Sequence, residues 1–331
     1  MPDFVRAVLD NPELAEFRGK FEKIIRPVIA ANLEPVDDEI PIGHSKFGGC
    51  PDLPEGIEWP IWFVDPGQTE AFTQQYESNS ILTRIPRNAP SHQNNRYFVH
   101  LPFVAQIRLS QIQHLTETGL LPSAGMLYVF FDLEFENQAG FTDQLNAGCP
   151  AWKVIFHPNE TATLTRAPVP EDVGLPEQHR PIPLSFFKTD YFPYVYSRPT
   201  DEDDDAWEVG GIQLSSHIGH IFLNSLDVGG KPEIFFGNHD DIDPFDLSKT
   251  YFYGQPWIFP ELEPSESENC TGSLTPEVTQ ALTEVKFLFC IDLEAITLEP
   301  KPWSFRRLAV FIREQDLRAC DFSRVWCYTF S

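Results

Sequence analysis

The sequence has no run approaching the roughly 18 consecutive apolar residues that a membrane-spanning helix needs, which argues against a membrane protein. Basic residues are scarce. Twenty-four Lys and Arg face 49 Asp and Glu, for a formal net charge of −25. A surplus of that sign repels nucleic-acid phosphates and anionic lipid alike, so neither is expected as a partner. No C-x-x-C pair occurs, and the six cysteines (Cys50, Cys149, Cys270, Cys290, Cys320 and Cys327) follow no framework spacing. They read as reduced, mostly buried thiols of a cytoplasmic protein. The start, Met1 to Arg6, lacks the basic flank and apolar stretch of a signal peptide. Also missing are a G-x-S-x-G elbow, a Walker sequence and a dinucleotide-binding glycine pattern. No cofactor is expected, and no catalytic residues can be named.

Glycine is outnumbered by proline, 19 to 30, which favours many short segments joined by stiff turns over long helices. The 28 Phe residues require a large core. Short apolar runs with strand character fall at 101–109, 125–132, 152–156, 162–165, 221–223, 234–236, 285–293, 308–312 and 325–330. Few long amphipathic periods separate them, so antiparallel sheets are expected over a doubly wound parallel one. The N-terminus is the clearest helix. Asn11 is placed to cap it and Pro12 suits its first position. Leu14, Phe17, Phe21, Ile24, Ile25 and Val28 then recur near a 3.6-residue period, with Pro27 placed to bend or end the helix and a separate helical turn over 3–10.

The chain echoes itself. Val104–Leu109 matches Leu288–Leu293, Leu127–Phe131 matches Leu308–Ile312, and Phe47–Asp52 matches Phe235–Asp240 more loosely, in one order and at nearly constant separation. An ancient duplication follows, with two closely packed halves. The expected fold is α+β and predominantly β, with antiparallel sheets and an N-terminal helix. The whole chain, 1–331, forms one unit: an N-terminal helical segment at 1–38, a first half at 39–200 and a duplicated second half at 201–331.

The string Ile42-Gly43-His44-Ser45-Lys46-Phe47-Gly48-Gly49-Cys50-Pro51-Asp52-Leu53-Pro54, followed by Glu58-Trp59-Pro60, resembles the signature of the YwqG-like family. So do Pro102–Ile107, Gly125–Phe131, Phe311–Leu317 and Asp321–Trp326. The resemblance implies a bacterial α+β domain dominated by β-structure and internally duplicated, and it implies no activity. In it Gly48, Gly49, Pro51, Pro54 and Trp59 take a structural part. The second half departs from the pattern at Phe236–Asp240 and Phe287–Asp292.

Charge is unevenly placed. Between Thr200 and Glu299 there are 21 acidic residues and three basic ones, Lys231, Lys249 and Lys286. Asp201, Glu202, Asp203, Asp204 and Asp205 form a self-repelling run that reads as a solvated loop. Asp240, Asp241 and Asp243 add hard oxygen ligands without the EF-hand spacing. Glu261, Glu263, Glu266 and Glu268 form another acidic stretch. These groups are expected to dock a basic protein, an immunity-type role being the concrete version. Two alternatives stand beside it: an enzyme or small-ligand binder with a pocket between the halves, lined by Trp59, Trp62 and Trp257, or a housekeeping domain whose charge only keeps it soluble. His217, His220 and His239 offer a weak metal-ligand pattern with no Cys or Glu to complete a zinc site, and no metal is expected.

Overall fold

The computed structural model describes residues 3–33, 39–64, 97–115, 121–131, 152–173, 181–192, 195–198, 206–209, 212–228, 234–236, 284–292 and 307–330. The structural statements below concern these residues. The acidic residues Asp201–Asp205, Asp240, Asp241 and Asp243, together with His239 and Trp257, lie outside them.

At the N-terminus the Asn11 side chain accepts from the Glu13 amide at 2.9 Å and caps one 3-10 turn, Pro12–Leu14. Helices α1 (Asp3–Leu9) and α2 (Arg18–Ile24) flank it. The periodic stretch through Val28 is not one helix: it divides into the 3-10 turn and α2 and ends just before Pro27. Ile25 is already extended, at φ −61° and ψ 133°, and Arg26–Leu33 is a strand, β1. Pro27 explains the break, since it disfavours helical backbone in the residue before it and cannot donate to a helix. Within β1 it stands opposite Asp190, outside the stretch Ile29–Ala31 that is paired on both sides, where a missing donor is tolerated.

The next strands are β2 (Lys46–Phe47), β3 (Asp52–Pro54), β4 (Ile61–Val64), β5 (Tyr97–His100), β6 (Phe103–Arg108), β7 (Met126–Phe131), β8 (Trp152–His157), β9 (Leu164–Arg166) and β10 (Ile182–Tyr191). Then come β11 (Val195–Arg198), β12 (Ala206–Val209), β13 (Ile212–Leu214), helix α3 (Ser216–Val228) and β14 (Ile234–Phe236). Strands β15 (Val285–Asp292) and β16 (Arg307–Arg313), helix α4 (Glu314–Arg318) and β17 (Trp326–Phe330) complete the chain. The run at 221–223, expected as a strand, lies inside α3. Ile218, Ile221, Phe222 and Ser225 fall at helical spacing, and the first three pack with α1 and α2.

Ten strands form one sheet in the order β17-β16-β15-β14-β1-β10-β2-β6-β7-β8, and every pairing is antiparallel. The order is balanced about the central pair β1–β10. On each side a short strand, β14 or β2, leads to a three-stranded meander. The registers agree as well. Ala105, Gln106 and Ile107 face Val129, Tyr128 and Leu127, after a bulge that skips Val104. Phe289, Cys290 and Ile291 face Val310, Ala309 and Leu308, after a bulge that skips Leu288.

Alternating residues of both meanders fill one apolar cluster, with Val104, Ile107, Leu127 and Val129 joined by Leu288, Ile291, Leu308 and Val310. The sheet curls until its ends meet: the Trp152 indole N–H donates to the Val325 carbonyl at 3.2 Å, and the Phe156 ring lies 5.1 Å from that of Phe322. On the opposite face, α1, α2 and α3 cover Val28 and Phe192. Leu53, Ile57 and Trp59 cover Phe103, Tyr128 and Phe130.

Helix α4 ends in a Schellman arrangement. The Cys320 amide donates to Leu317 O at 3.0 Å and the Asp321 amide to Asp316 O at 2.9 Å, with Cys320 left-handed at φ 55°. A cysteine there carries the Cβ strain that glycine avoids. Replacing Cys320 with Gly should therefore raise unfolding stability by about 1 kcal/mol, seen as a higher urea midpoint at unchanged slope.

Candidate functional site: a buried ionic cluster beneath the signature loop

The register of the large sheet places Lys46 opposite Gln106, and Gln106 opposite Tyr128. Residues directly opposite in neighbouring strands project to the same face, so β2, β6 and β7 present a polar row there. Over that row lies the small sheet β3–β9, in which Asp52 pairs with Arg166. The two layers meet at the Asp52 carboxylate, which is 0% exposed. Its Oδ2 accepts from Lys46 Nζ at 2.9 Å, Gln106 Nε2 at 2.9 Å and the Gly43 amide at 3.0 Å, while Oδ1 accepts from Arg166 Nε at 2.9 Å. The Asp52 backbone is held too: its N–H donates to Gln106 Oε1 and its carbonyl accepts from the Tyr128 hydroxyl, each at 2.8 Å.

The surrounding loop is tied to the same residues. Gln106 Nε2 also donates to His44 O at 2.7 Å, and Arg166 Nη2 donates to Ile40 O at 2.7 Å. Ser45 Oγ accepts from the Arg108 amide at 2.8 Å and donates to Gln111 Oε1. Gly48 and Gly49 are both left-handed, at φ 59° and 68°, and a Cβ on Gly49 would stand 2.7 Å from Pro181 Cβ. Glycine is therefore required at Gly49 by conformation and by space. Pro51 and Pro54 are buried on either side of Asp52. The Trp59 indole N–H donates to Leu101 O at 2.7 Å, and its ring meets Phe130 edge-on.

Burial works to raise the Asp52 carboxyl, but the hydrogen bonds from Arg166, Lys46 and Gly43 outweigh it and hold it below the ordinary aspartate value. Burial lowers the Lys46 ammonium, against the opposing pull of Asp52. The Tyr128 hydroxyl is pushed up by burial and by the Asp52 charge, so it stays a donor. Lys46 is only 1% exposed. A nucleophile or general base needs reach to its substrate. Asp52 spends both carboxylate oxygens on Lys46, Gln106, Arg166 and the Gly43 amide, an arrangement that clamps the loop to the sheet.

Of the residues singled out from sequence, the structure gathers Gly48, Gly49, Pro51 and Pro54 around this clamp, with Trp59 on the neighbouring apolar cluster. Trp62 is placed by its backbone in β4, opposite Val99. His217 and His220 are exposed on α3, apart from the clamp. Among the described residues no group of three or more His, Cys, Asp or Glu side chains is arranged to hold a metal ion. Sequence reasoning missed Lys46, Asp52, Gln106, Tyr128 and Arg166 as a set. The available signal was Gln106, a polar residue inside the apolar run Val104–Ile107 and so committed to a buried partner.

Replacing Asp52 with Asn should leave Lys46 and Arg166 without their counter-charge, at a cost of about 3–5 kcal/mol near neutral pH. The Asp52 pKa is lower folded than unfolded, so its stabilisation is complete above the unfolded value of about 3.9 and is lost as pH falls through the folded value. Urea titrations across pH should show the Asn variant with a correspondingly smaller loss of stability in acid. Tyr128→Phe, which removes one neutral-donor hydrogen bond, should cost about 1 kcal/mol.

No helix among the described residues is long and apolar enough to cross a membrane. No curated protein matches the chain. A family model described as a domain of unknown function, DUF1963, matches residues 45–329, from the clamp's Ser45 to the last strand, and the chain belongs to that family.

Proposed function

We propose that the chain is a non-enzymatic cytosolic binding protein whose acidic second half engages a basic protein, as an immunity-type protein would. The observation that carries this reading is the attachment of its densest acidic run. Arg198 on β11 pairs with Ala206 on β12, so the residues that join these adjacent strands include all of Asp201–Asp205. Five consecutive like charges thus fall, in sequence, between two strands that pair with each other. A charge run of that density steers a cationic surface and accelerates its docking. The pocket reading draws less support, because the Trp59 indole is already committed to Leu101 O and Phe130.

The agreement of bulge and register between β6–β7 and β15–β16 supports descent of the two halves from a duplication. It also moves one sequence match by a residue. Lys46 faces Gln106 in β6, while Phe235 faces Cys290 in β15, so Phe235 stands in the place of Lys46 and not of Phe47. The clamp motif is likewise compatible with the YwqG-like resemblance.

The test is capture of partners by the tagged protein from its native lysate at about 50 mM and then 500 mM salt, which shortens the Debye length from over 10 Å to a few ångströms. A basic protein held at low salt should be released at high salt. Its affinity should fall about tenfold or more when Asp201, Asp203, Asp204 and Asp205 become Asn. Retention of the partner by that variant, or recovery of chaperones alone at both salts, would sink the proposal.

A further inference from the structure

The central pair of strands sits on the unexpected side of the sheet. Strand β1 precedes the first meander in sequence, yet its neighbours in the sheet are β10 and β14, and no strand of the first meander pairs with it. Strand β10 precedes the second meander, yet its neighbours are β1 and β2. Each meander is therefore extended by the strand that leads into the other one. The central ladder runs antiparallel from Arg26–Tyr191 to Leu33–Leu184, and β14 continues from Ile29–Phe236 to Ala31–Ile234.

We propose that the ten-stranded sheet is two five-stranded units that have exchanged their first strands within one chain, and that β1 acts as a strap whose seating governs the order of the second half. The pairings carry this whether or not the units share an ancestor, and it stands apart from the partner reading. Ala30 is 0% exposed and lies between Phe187 on one side and Phe235 on the other. Ile29 and Ala31 enter the shared core while Val28 packs beneath the helices, so β1 is buried on both faces over Val28–Ala31 and paired on both edges over Ile29–Ala31. Loosening it exposes the edge of β14 before it disturbs β6, β7 or β8. The reciprocal holds for Ile182 on β10, which faces Phe47 on β2 and lies beyond the ladder with β1.

The exchange is tested in the intact chain by hydrogen exchange. Ala30→Gly weakens the strand without removing a donor, and should speed amide exchange in β14 and β15 by about two- to fivefold while β6–β8 change less. Ile182→Gly should give the mirror result, with β2 and β6 accelerated and β14–β15 spared. A chain that is wild type apart from one protease site placed within residues 174–180 supplies a second arm: cut once there, it should elute as a single species without denaturant. Acceleration confined to β6–β8 in Ala30→Gly, equal acceleration throughout the sheet, or separation of the cut fragments would each overturn the proposal. None of these readouts involves a basic partner, so failure of the docking proposal leaves this one standing, and the reverse.

Discussion

The Asp52 carboxylate is the point on which the first half of the molecule depends. A charge so deeply placed is expensive to desolvate, and an apolar replacement of equal volume is often as stable. Here the cost has a structural reason. The signature loop brings polar backbone groups into the interior, the Gly43 amide and the carbonyls of His44 and Ile40 among them, and an apolar core has no partners for these. Asp52 satisfies the donor directly. Gln106 and Arg166, oriented by Asp52, satisfy the two carbonyls with hydrogen atoms left over from the carboxylate contacts. One carboxylate thus organises a loop, a two-stranded sheet and the polar row beneath them.

The second meander shows the apolar solution to the same packing problem. In the row where the first has Lys46, Gln106 and Tyr128, it has Phe235, Cys290 and Ala309. Cys290 and Ala309 are both 1% exposed, so these two positions are buried without the amide and phenol that stand at Gln106 and Tyr128. The two rows flank a common central pair whose strands serve both sides, and the inner faces share one core. That arrangement also deals with the ends of the sheet. An open edge invites pairing with other chains. The edge strand β8 is instead packed against the turn that precedes β17, through Trp152 and Phe156.

Strands β6–β9 and β14–β17 were legible because they are short, apolar and bounded by turn residues, whereas β1–β5 and β10–β13, the central pair β1–β10 among them, carried no strand reading. β6, β7, β15 and β16 fall where their apolar runs predict. At the N-terminus the apolar periodicity continues through Val28, but Pro27 was placed to bend or end the helix, and the helix stops at Ile24 with a strand following it. The reading of 221–223 as a strand failed because three adjacent apolar residues have no period of their own, and the helix shows only when Ile218 and Ser225 are included. The clamp was harder to see. Its members are separated by up to 120 residues and are joined by cross-strand register, which sequence spacing does not encode. Lys46 and Asp52 stood within the recognised motif, but a lysine beside a phenylalanine reads as a surface residue until the strand on its other side is known.

The partition of charge follows from the same physics. Buried ionised groups need compensation, and the described ones have it. Lys46 and Arg166 share Asp52, Arg108 pairs with Glu160, Arg313 with Glu284, and Arg324 with Asp316. These groupings nearly cancel, so the core and its margins account for little of the −25. The surplus must sit where water solvates it, and the sequence concentrates it between Thr200 and Glu299. A charge that serves solubility alone has no need to be concentrated, since dispersed residues repel one another less and solubilise as well. Concentration costs self-repulsion, and this unevenness of charge along the sequence is the feature on which the docking proposal draws.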